Sequence, residues 1–409
     1  MILKSRFVVP VDAPVIRDGA VRVYDGRIVE VGSAKEIVGA ESVNYADAVI
    51  CPGFVNAHTH LELTHLHGKV KPSADFTDWL RRIVRVSIES PPAKEQVVEA
   101  MESGIRQSLA SGVTTVGDIT RWPAWTREVL SHSLLRAVSF GEVVAVGNRR
   151  QLLTERLEAA TDDHFMSPRL AVGISPHAPY TVEPDGLRAC ARMAAERSLP
   201  ICIHLAETRD EERFTSSREG PFAVYLHDIG VWDDAIPVAG LRPVDLARET
   251  GILGARCIAA HANYVSDDDI TTLAKSATSV AYCPRTHHAF GHATHRFVDL
   301  IQAGVNVCIG TDSLACNPSL SVLDELRFLH RGRAEMPPDV LLAMGTLYGA
   351  RALGVADDCG TITVGKAADL AVIPLDTRIG KPDWTHVLDT DHAPSAVYVS
   401  GVRYRPSRS

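Results

Sequence analysis

The 409-residue chain has no run of about eighteen consecutive apolar side chains, so no membrane-spanning helix is expected. Lysine and arginine do not cluster, and 42 of them against 50 Asp and Glu give a formal net charge of -8, which disfavours a nucleic-acid partner. No CxxC occurs among the eight cysteines (Cys51, Cys190, Cys202, Cys257, Cys283, Cys308, Cys316, Cys359). They mostly sit in apolar runs such as Ile201-Cys202-Ile203, which points to buried free thiols rather than disulfides or a thiolate metal site. No G-x-G-x-x-G follows an early strand, which argues against a doubly wound nucleotide-binding sheet. Near the start, Lys4, Arg6, Pro10, Asp12 and Pro14 replace the apolar run of a signal peptide, and the expected location is the cytoplasm. Lysine is also missing from Glu95 to Ala274.

What is present is a globular composition, 45% hydrophobic and 22% charged, with length enough for a full core. The first fifty residues alternate short apolar runs with turns, and Asp25-Gly26 between Ala20–Tyr24 and Ile28–Val31 predicts a hairpin. The same texture returns at Asp369–Ile373 and Ser395–Tyr404. Between these β-rich ends, helical periodicity alternates with short apolar strands. A helix is predicted from Ala93 to Ala110, with Val97, Val98, Met101, Ile105 and Leu109 on one face, leading into a strand at Thr114–Gly117. Other strands are predicted at Ala48–Asn56, Leu135–Phe140, Leu170–Ile174, Pro200–His204, Arg256–His261, Ser279–Cys283 and Val305–Gly310. Helices are predicted at Asp185–Arg197 and Ser266–Lys275, the latter capped by Ser266. Eight parallel-type strands suit an α/β fold, a (β/α)8 TIM barrel over 53–357, with a small composite β-sandwich domain from 1–52 and 358–409.

Candidate chemistry lies at the strand ends. His58 and His60, two apart at the end of the first barrel strand, point to the same side and can share one ion. Alone, a His-x-His is weak. Recurrence strengthens it: His177, His204, His261 and Asp312 each follow or end a separate strand, which in a closed barrel is the rim where active sites assemble. Structural histidines at every one of these ends would mean many buried imidazoles, each costly in desolvation.

These residues resemble the amidohydrolase superfamily over essentially the whole chain. Pro52-Gly53-Phe54-Val55-Asn56-Ala57-His58-Thr59-His60 is similar to its first-strand signature, His204-Leu205-Ala206-Glu207 to its HxxE, Gly310-Thr311-Asp312 to its eighth-strand aspartate, and Gly365–Leu370 to its return into the small β domain. In the deaminase branch the resemblance implies that His58, His60, His204 and Asp312 hold one divalent metal ion per chain, zinc with iron(II) as the alternative, and that His261 orients the attacking water. Asp312 would also accept the water proton. Glu207 would protonate a ring nitrogen; a solvated loop carboxylate is the bland alternative. Binuclear members usually carry a bridging lysine at the fourth strand, where this chain reads Gly173-Ile174-Ser175-Pro176-His177, so one ion is expected.

The resemblance implies an aminohydrolase. Ser175–Thr181 is similar to the PHAPYT segment of adenosine-type deaminases, which assigns His177 to substrate binding; a histidine that merely shapes the loop is the alternative. Together with HTHLELT at the first strand and Cys283-Pro284-Arg285-Thr286-His287-His288-Ala289-Phe290-Gly291-His292, it is most like deaminases of aminodeoxyfutalosine, a menaquinone-pathway nucleoside with a benzoate. Arg285 would then pair with that carboxylate, or else with a neighbouring loop. Trp79 and Phe76 would stack on the purine or pack as helix core contacts. Neither Glu62 nor the histidines at 65, 67, 287, 288, 292 and 295 receive a role. The alternatives are an S-adenosylhomocysteine/methylthioadenosine deaminase, a guanine deaminase, a triazine-type chlorohydrolase or a non-catalytic scaffold on a retired hydrolase barrel. The expected partner is a small-molecule substrate, with no nucleic acid and no membrane; a homo-oligomer stays open.

Overall fold

A computed structural model of the chain describes residues 1–89, 92–333, 335–376 and 383–405. Residues 90–91 and 334 of the expected barrel, and 377–382 and 406–409 of the expected small domain, lie outside the described residues.

Five strands open the chain: β1 (Ile2–Val8), β2 (Ile16–Tyr24), β3 (Arg27–Ser33), β4 (Ser42–Asn44) and β5 (Ala48–Pro52). Asp25 and Gly26 both take positive φ (48° and 74°), the conformation that a tight hairpin turn between β2 and β3 needs. Eight strands follow: β6 (Phe54–Thr59), β7 (Val113–Thr120), β8 (Arg136–Val143), β9 (Leu170–Pro176), β10 (Ile201–Leu205), β11 (Cys257–His261), β12 (Ser279–Tyr282) and β13 (Val307–Ile309). The last three are β14 (Leu370–Pro374), β15 (Ala396–Val399) and β16 (Val402–Arg403).

Strands β6 to β13 pair in chain order, all parallel, as the predicted barrel requires. The first and last meet through a parallel bridge between Thr59 and Asp312. That seam is tied by side chains: Asn56 Nδ2 donates to Thr311 Oγ1 (2.7 Å), and the Thr311 amide donates back to Asn56 Oδ1 (3.0 Å). At Gly310 an added Cβ would lie 2.9 Å from both Cβ and O of His58, so only glycine lets the eighth strand approach the first this closely. Small side chains such as Ala57, Ala260 and Ala281 fill the barrel interior around Ile258 and Phe140. Outside, helices close the core; Lys94–Ala110 buries Val97, Met101, Ile105 and Leu109, as its periodicity predicts.

The chain ends meet in one mixed sheet ordered β16-β15-β14-β5-β1-β2-β3, branching at β1, whose two halves pair with β4 and β5. Leu3, Val21, Ile28, Ile50, Leu370 and Val372 form its separate core. The run Ala48–Asn56, expected as a single strand, is divided. It pairs with β1 and β14 up to Pro52 and with β7 from Phe54, passing between the two sheets at Gly53. An added Cβ at Gly53 would fall 2.2 Å from Thr114 Oγ1.

Candidate active site

All six residues expected to do chemistry converge at the C-terminal ends of the barrel strands. Each is at most 8% exposed. His58 and His60 come from β6 and its end, His204 from β10, His261 from β11, and Asp312 from just beyond β13. The Nε2 atoms of His60 and His204 lie 3.3 Å apart, and Asp312 Oδ1 stands 3.6 Å from His60 Nε2 and 3.9 Å from His58 Nε2. These separations suit donor atoms about 2.0–2.2 Å from one shared tetrahedral ion.

Backbone conformation aims two of these groups. In β11, Ile258 and Ala260 face the barrel interior and Cys257 and Ala259 the outer core, so strict alternation would turn His261 outward. His261 instead has φ 71° and Ala262 φ 49°, which breaks the alternation and brings the imidazole to 5.3 Å from His58 and 5.4 Å from His204, centroid to centroid. Asp312 is also left-handed (φ 58°). Such positions are unfavourable for residues with a Cβ and concentrate at functional sites.

The electrostatics prepare the imidazoles as ligands. Burial, reinforced by the neighbouring histidines, holds His58, His60 and His261 well below the ordinary histidine range. Burial takes His204 down to about 3. Neutral rings keep a lone pair for an ion. For His204 the tautomer follows from Nδ1–H donating to the backbone oxygen of His177 at 2.9 Å, which leaves Nε2 facing the other ligands. His58 Nε2 and His261 Nε2 are buried with no hydrogen-bond partner. An orphaned lone pair there would be costly without a ligand, so the donor set fits a divalent ion.

Glu207 sits beside this set, Oε1 3.6 Å from His261 Nε2. Burial, then the Asp312 and Glu211 charges, push its carboxyl well above the usual range. Its loop is held by Glu211, whose two oxygens accept the amides of Ala206 (2.9 Å) and Glu207 (2.8 Å). Burial lifts Asp312 to about 6; its oxygens accept the Ser313 amide (2.9 Å) and the Cys316 thiol (3.2 Å). His177 tilts against His204 at 4.8 Å, its Nδ1 meets Thr181 Oγ1 at 2.8 Å, and burial lowers it to about 4.

The other expected residues have different surroundings. Arg285 is not directed at the histidines: Nε donates to Glu325 Oε1 (2.6 Å) and Nη2 to Ser319 (2.9 Å to Oγ), so the carboxylate it pairs is the chain's own. Trp79, on the helix Phe76–Glu89, is packed against Phe76 (5.6 Å) and Phe290 (5.0 Å) in an apolar cluster with Tyr180 and Phe222. That cluster draws on segments following β6, β8, β9, β10, β12 and β13.

Several rim groups were given no role by the sequence. Glu62 accepts the Thr120 hydroxyl (2.7 Å) and the Arg121 amide (3.0 Å) and is lifted by burial to about 7. Asp118, at the end of β7, accepts the Leu61 amide (2.9 Å) and so holds the segment just past His60. Glu142, at the end of β8, stands 4.0 Å from His177 Nε2 and 3.5 Å from Arg121. Their position at strand C-terminal ends, the signal that exposed the histidines, would also have found Asp118 and Glu142.

The chain is 29% identical over 388 residues to a 5-methylthioadenosine/S-adenosylhomocysteine deaminase of Moorella thermoacetica, covering 92% of this chain and 86% of that one. Among solved structures it resembles an adenosine deaminase from Xanthomonas campestris with bound zinc (TM-score 0.83, 26% identity, 98% of this chain and 92% of that one). It also shares the fold of the Helicobacter pylori aminofutalosine deaminase in complex with methylthio-coformycin (TM-score 0.86, 22% identity, 99% and 100% covered). The model of the amidohydrolase family matches residues 49–403, from β5 through the barrel to β16, and the chain belongs to that family.

Proposed function

We propose that the chain is a hydrolytic deaminase that releases ammonia from a 6-aminopurine nucleoside, with one divalent ion held by His58, His60, His204 and Asp312. When bound, such an ion supplies Lewis acidity that lowers the pKa of water from about 15.7 to about 7. His261 orients the attacking water through the Nε2 that has no partner in the protein. Asp312 takes the water's proton, its carboxylate steadied by Ser313 and Cys316. Glu207 enters as the acid, because burial favours its protonated form, and delivers the proton to the ring nitrogen beside the attacked carbon. The oxygen adds to C6, Asp312 passes the proton it took from water to the exocyclic amine, and as the C6–N bond breaks and ammonia leaves, the C6 hydroxyl gives its proton back to Glu207 and becomes the carbonyl. His177, neutral and set by Thr181, contacts the base from the side of β9.

The observation that carries this reading is the placement of the buried Glu207 carboxyl, Oε1 3.6 Å from His261 Nε2 and in one cluster with Asp312, where burial and the Asp312 charge favour its protonated form. Zinc is the proposed ion, since the Xanthomonas campestris relative holds zinc; iron(II) accepts the same donors.

Within this class we propose aminodeoxyfutalosine as the substrate, on the resemblance of the HTHLELT, PHAPYT and CPRTHHAFGH segments, which would make the protein a cytoplasmic enzyme of menaquinone biosynthesis. The second reading, methylthioadenosine or S-adenosylhomocysteine, is favoured by the Moorella thermoacetica relative. An ammonia-release screen over both, with adenosine, adenine and guanine, run alongside metal analysis, separates them. A tenfold preference, about 1.4 kcal/mol in transition-state binding, for aminodeoxyfutalosine supports the first; the reverse preference supports the second. No ammonia from any of them removes the deaminase reading.

A further inference from the structure

A buried polar cluster lies between the loops that carry Glu207 and His261. After β10 and β11 the chain turns with positive φ at Ala206 (51°), His261 (71°) and Ala262 (49°). The two loops then pair: the Ala262 amide donates to the Leu205 oxygen and the Tyr264 amide to the Ala206 oxygen, each at 3.0 Å. These backbone bonds, open to any sequence, stop one residue short of Glu207. The next bond comes from a side chain, since Asn263, itself buried, donates Nδ2 to the Glu207 oxygen at 3.0 Å.

Chemistry fixes the orientation of that amide. A carbonyl oxygen only accepts, so Nδ2 faces Glu207 and Oδ1 faces His287, whose Nδ1 donates to it at 3.0 Å. His287 belongs to the helix Pro284–Ala289 and is buried beside the rings of Tyr282 (5.6 Å) and His295 (5.5 Å). From the opposite side, Glu211 on the helix Arg209–Ser217 accepts the Glu207 amide at 2.8 Å. Both backbone groups of residue 207 are thus held by side chains, and these come from separate elements. Burying two polar side chains to hold one backbone oxygen is favourable only when each is paired, as here. The oxygen they hold belongs to the residue whose carboxyl stands 3.6 Å from His261 Nε2.

We infer that Asn263 and His287 are positioning residues for Glu207: His287 orients the Asn263 amide, and the amide clamps the Glu207 backbone so that its carboxyl stays in register with His261 and with the ring nitrogen it protonates. They act through Glu207 and not on the substrate. This rests on the deaminase reading and deepens it, since it gives His287 a part in placing the acid.

A double-mutant cycle tests the clamp, with the nucleoside that the ammonia screen selects. Asn263→Ala and His287→Ala are each expected to lower kcat about ten- to a hundredfold, the range for misplacing a reacting group by about 1 Å, with KM within about threefold of wild type and one metal kept per chain. His287→Asn, whose amide nitrogen takes about the place of Nδ1, is expected to recover most of that loss. In the Glu207→Gln background, Asn263→Ala should cost less than about threefold more, because the carboxyl it places is already gone. A loss that multiplies with that of Glu207→Gln, or one that comes with loss of metal, overturns the assignment. Crystals of Asn263→Ala read the same point without turnover. The Glu207 carboxyl is expected to leave its place beside His261 while His58, His60, His204 and Asp312 stay where they are; a carboxyl that does not move overturns the clamp. Wild-type protein that releases no ammonia from any nucleoside removes the deaminase reading, and the crystals still decide the clamp.

Discussion

Two sets of buried histidines lie side by side around the barrel mouth, and they differ in where their nitrogens point. His58, His60, His204 and His261 converge, with Asp312 and Glu207, into groups whose ligand atoms lie within 4.8 Å of one another. His287, His292 and His295 are also buried or half-buried, and burial lowers them to about 4, 4 and 3. Yet His287 Nδ1 donates to Asn263 Oδ1 (3.0 Å), His292 Nδ1 meets the Tyr264 hydroxyl (3.2 Å), and His295 Nε2 donates to the His261 backbone oxygen (2.7 Å). Among the described residues no group of three donors able to share an ion includes any of them. Burial and a depressed pKa are therefore common to both sets. Convergence beside a carboxylate distinguishes the candidate metal site, since a partnerless buried nitrogen also occurs in the second set, at His295 Nδ1, while His295 Nε2 supports His261.

The contrast breaks most sharply on His58→Ala, which should take bound metal from one per chain to nearly none and abolish ammonia release, whereas His287→Ala should keep one metal. Elemental analysis with an activity assay checks both. Glu207→Gln comes next. It should lower kcat by about 10²–10⁴-fold with metal content and melting temperature close to wild type, and should remove the fall in rate as pH rises through the Glu207 pKa in the wild type. His295→Ala withdraws only the donor to the His261 carbonyl, so a loss of about tenfold in activity with metal retained is expected, in the range for residues that orient a site's own groups.

The smallest effect concerns stability. Glu62 is raised to about 7 from an ordinary value of 4.5, so the folded state binds a proton that the unfolded state has lost between those two values. Stability contributed by this group is full below about 4.5 and declines as pH rises to about 7. Denaturant titrations at pH 5 and pH 8 should show a smaller difference for Glu62→Gln than for the wild type; an unchanged difference would remove the assignment.

The barrel and the strand-end placement of the candidate ligands were legible because each signal is local. A histidine placed just after an apolar run is visible without knowing the fold, and the parallel order follows from alternation of helix and strand. What was hidden depends on contacts distant in sequence. Ala48–Asn56 reads as one apolar run because both sheets bury their strands, and the change of sheet at Gly53 is a matter of which partner lies alongside. Arg285 looked available because Glu325, forty residues on, carries no mark of its role. Turning His261 inward takes a positive φ that a histidine does not announce.

Crystals of the purified protein, with anomalous scattering measured across the zinc edge, test the central claim directly. A single peak is expected within bonding distance of Nε2 of His58, His60 and His204 and of an Asp312 oxygen. A second ion on the rim, or a peak seated on the His287/His292/His295 set with none among the four ligands, would contradict it.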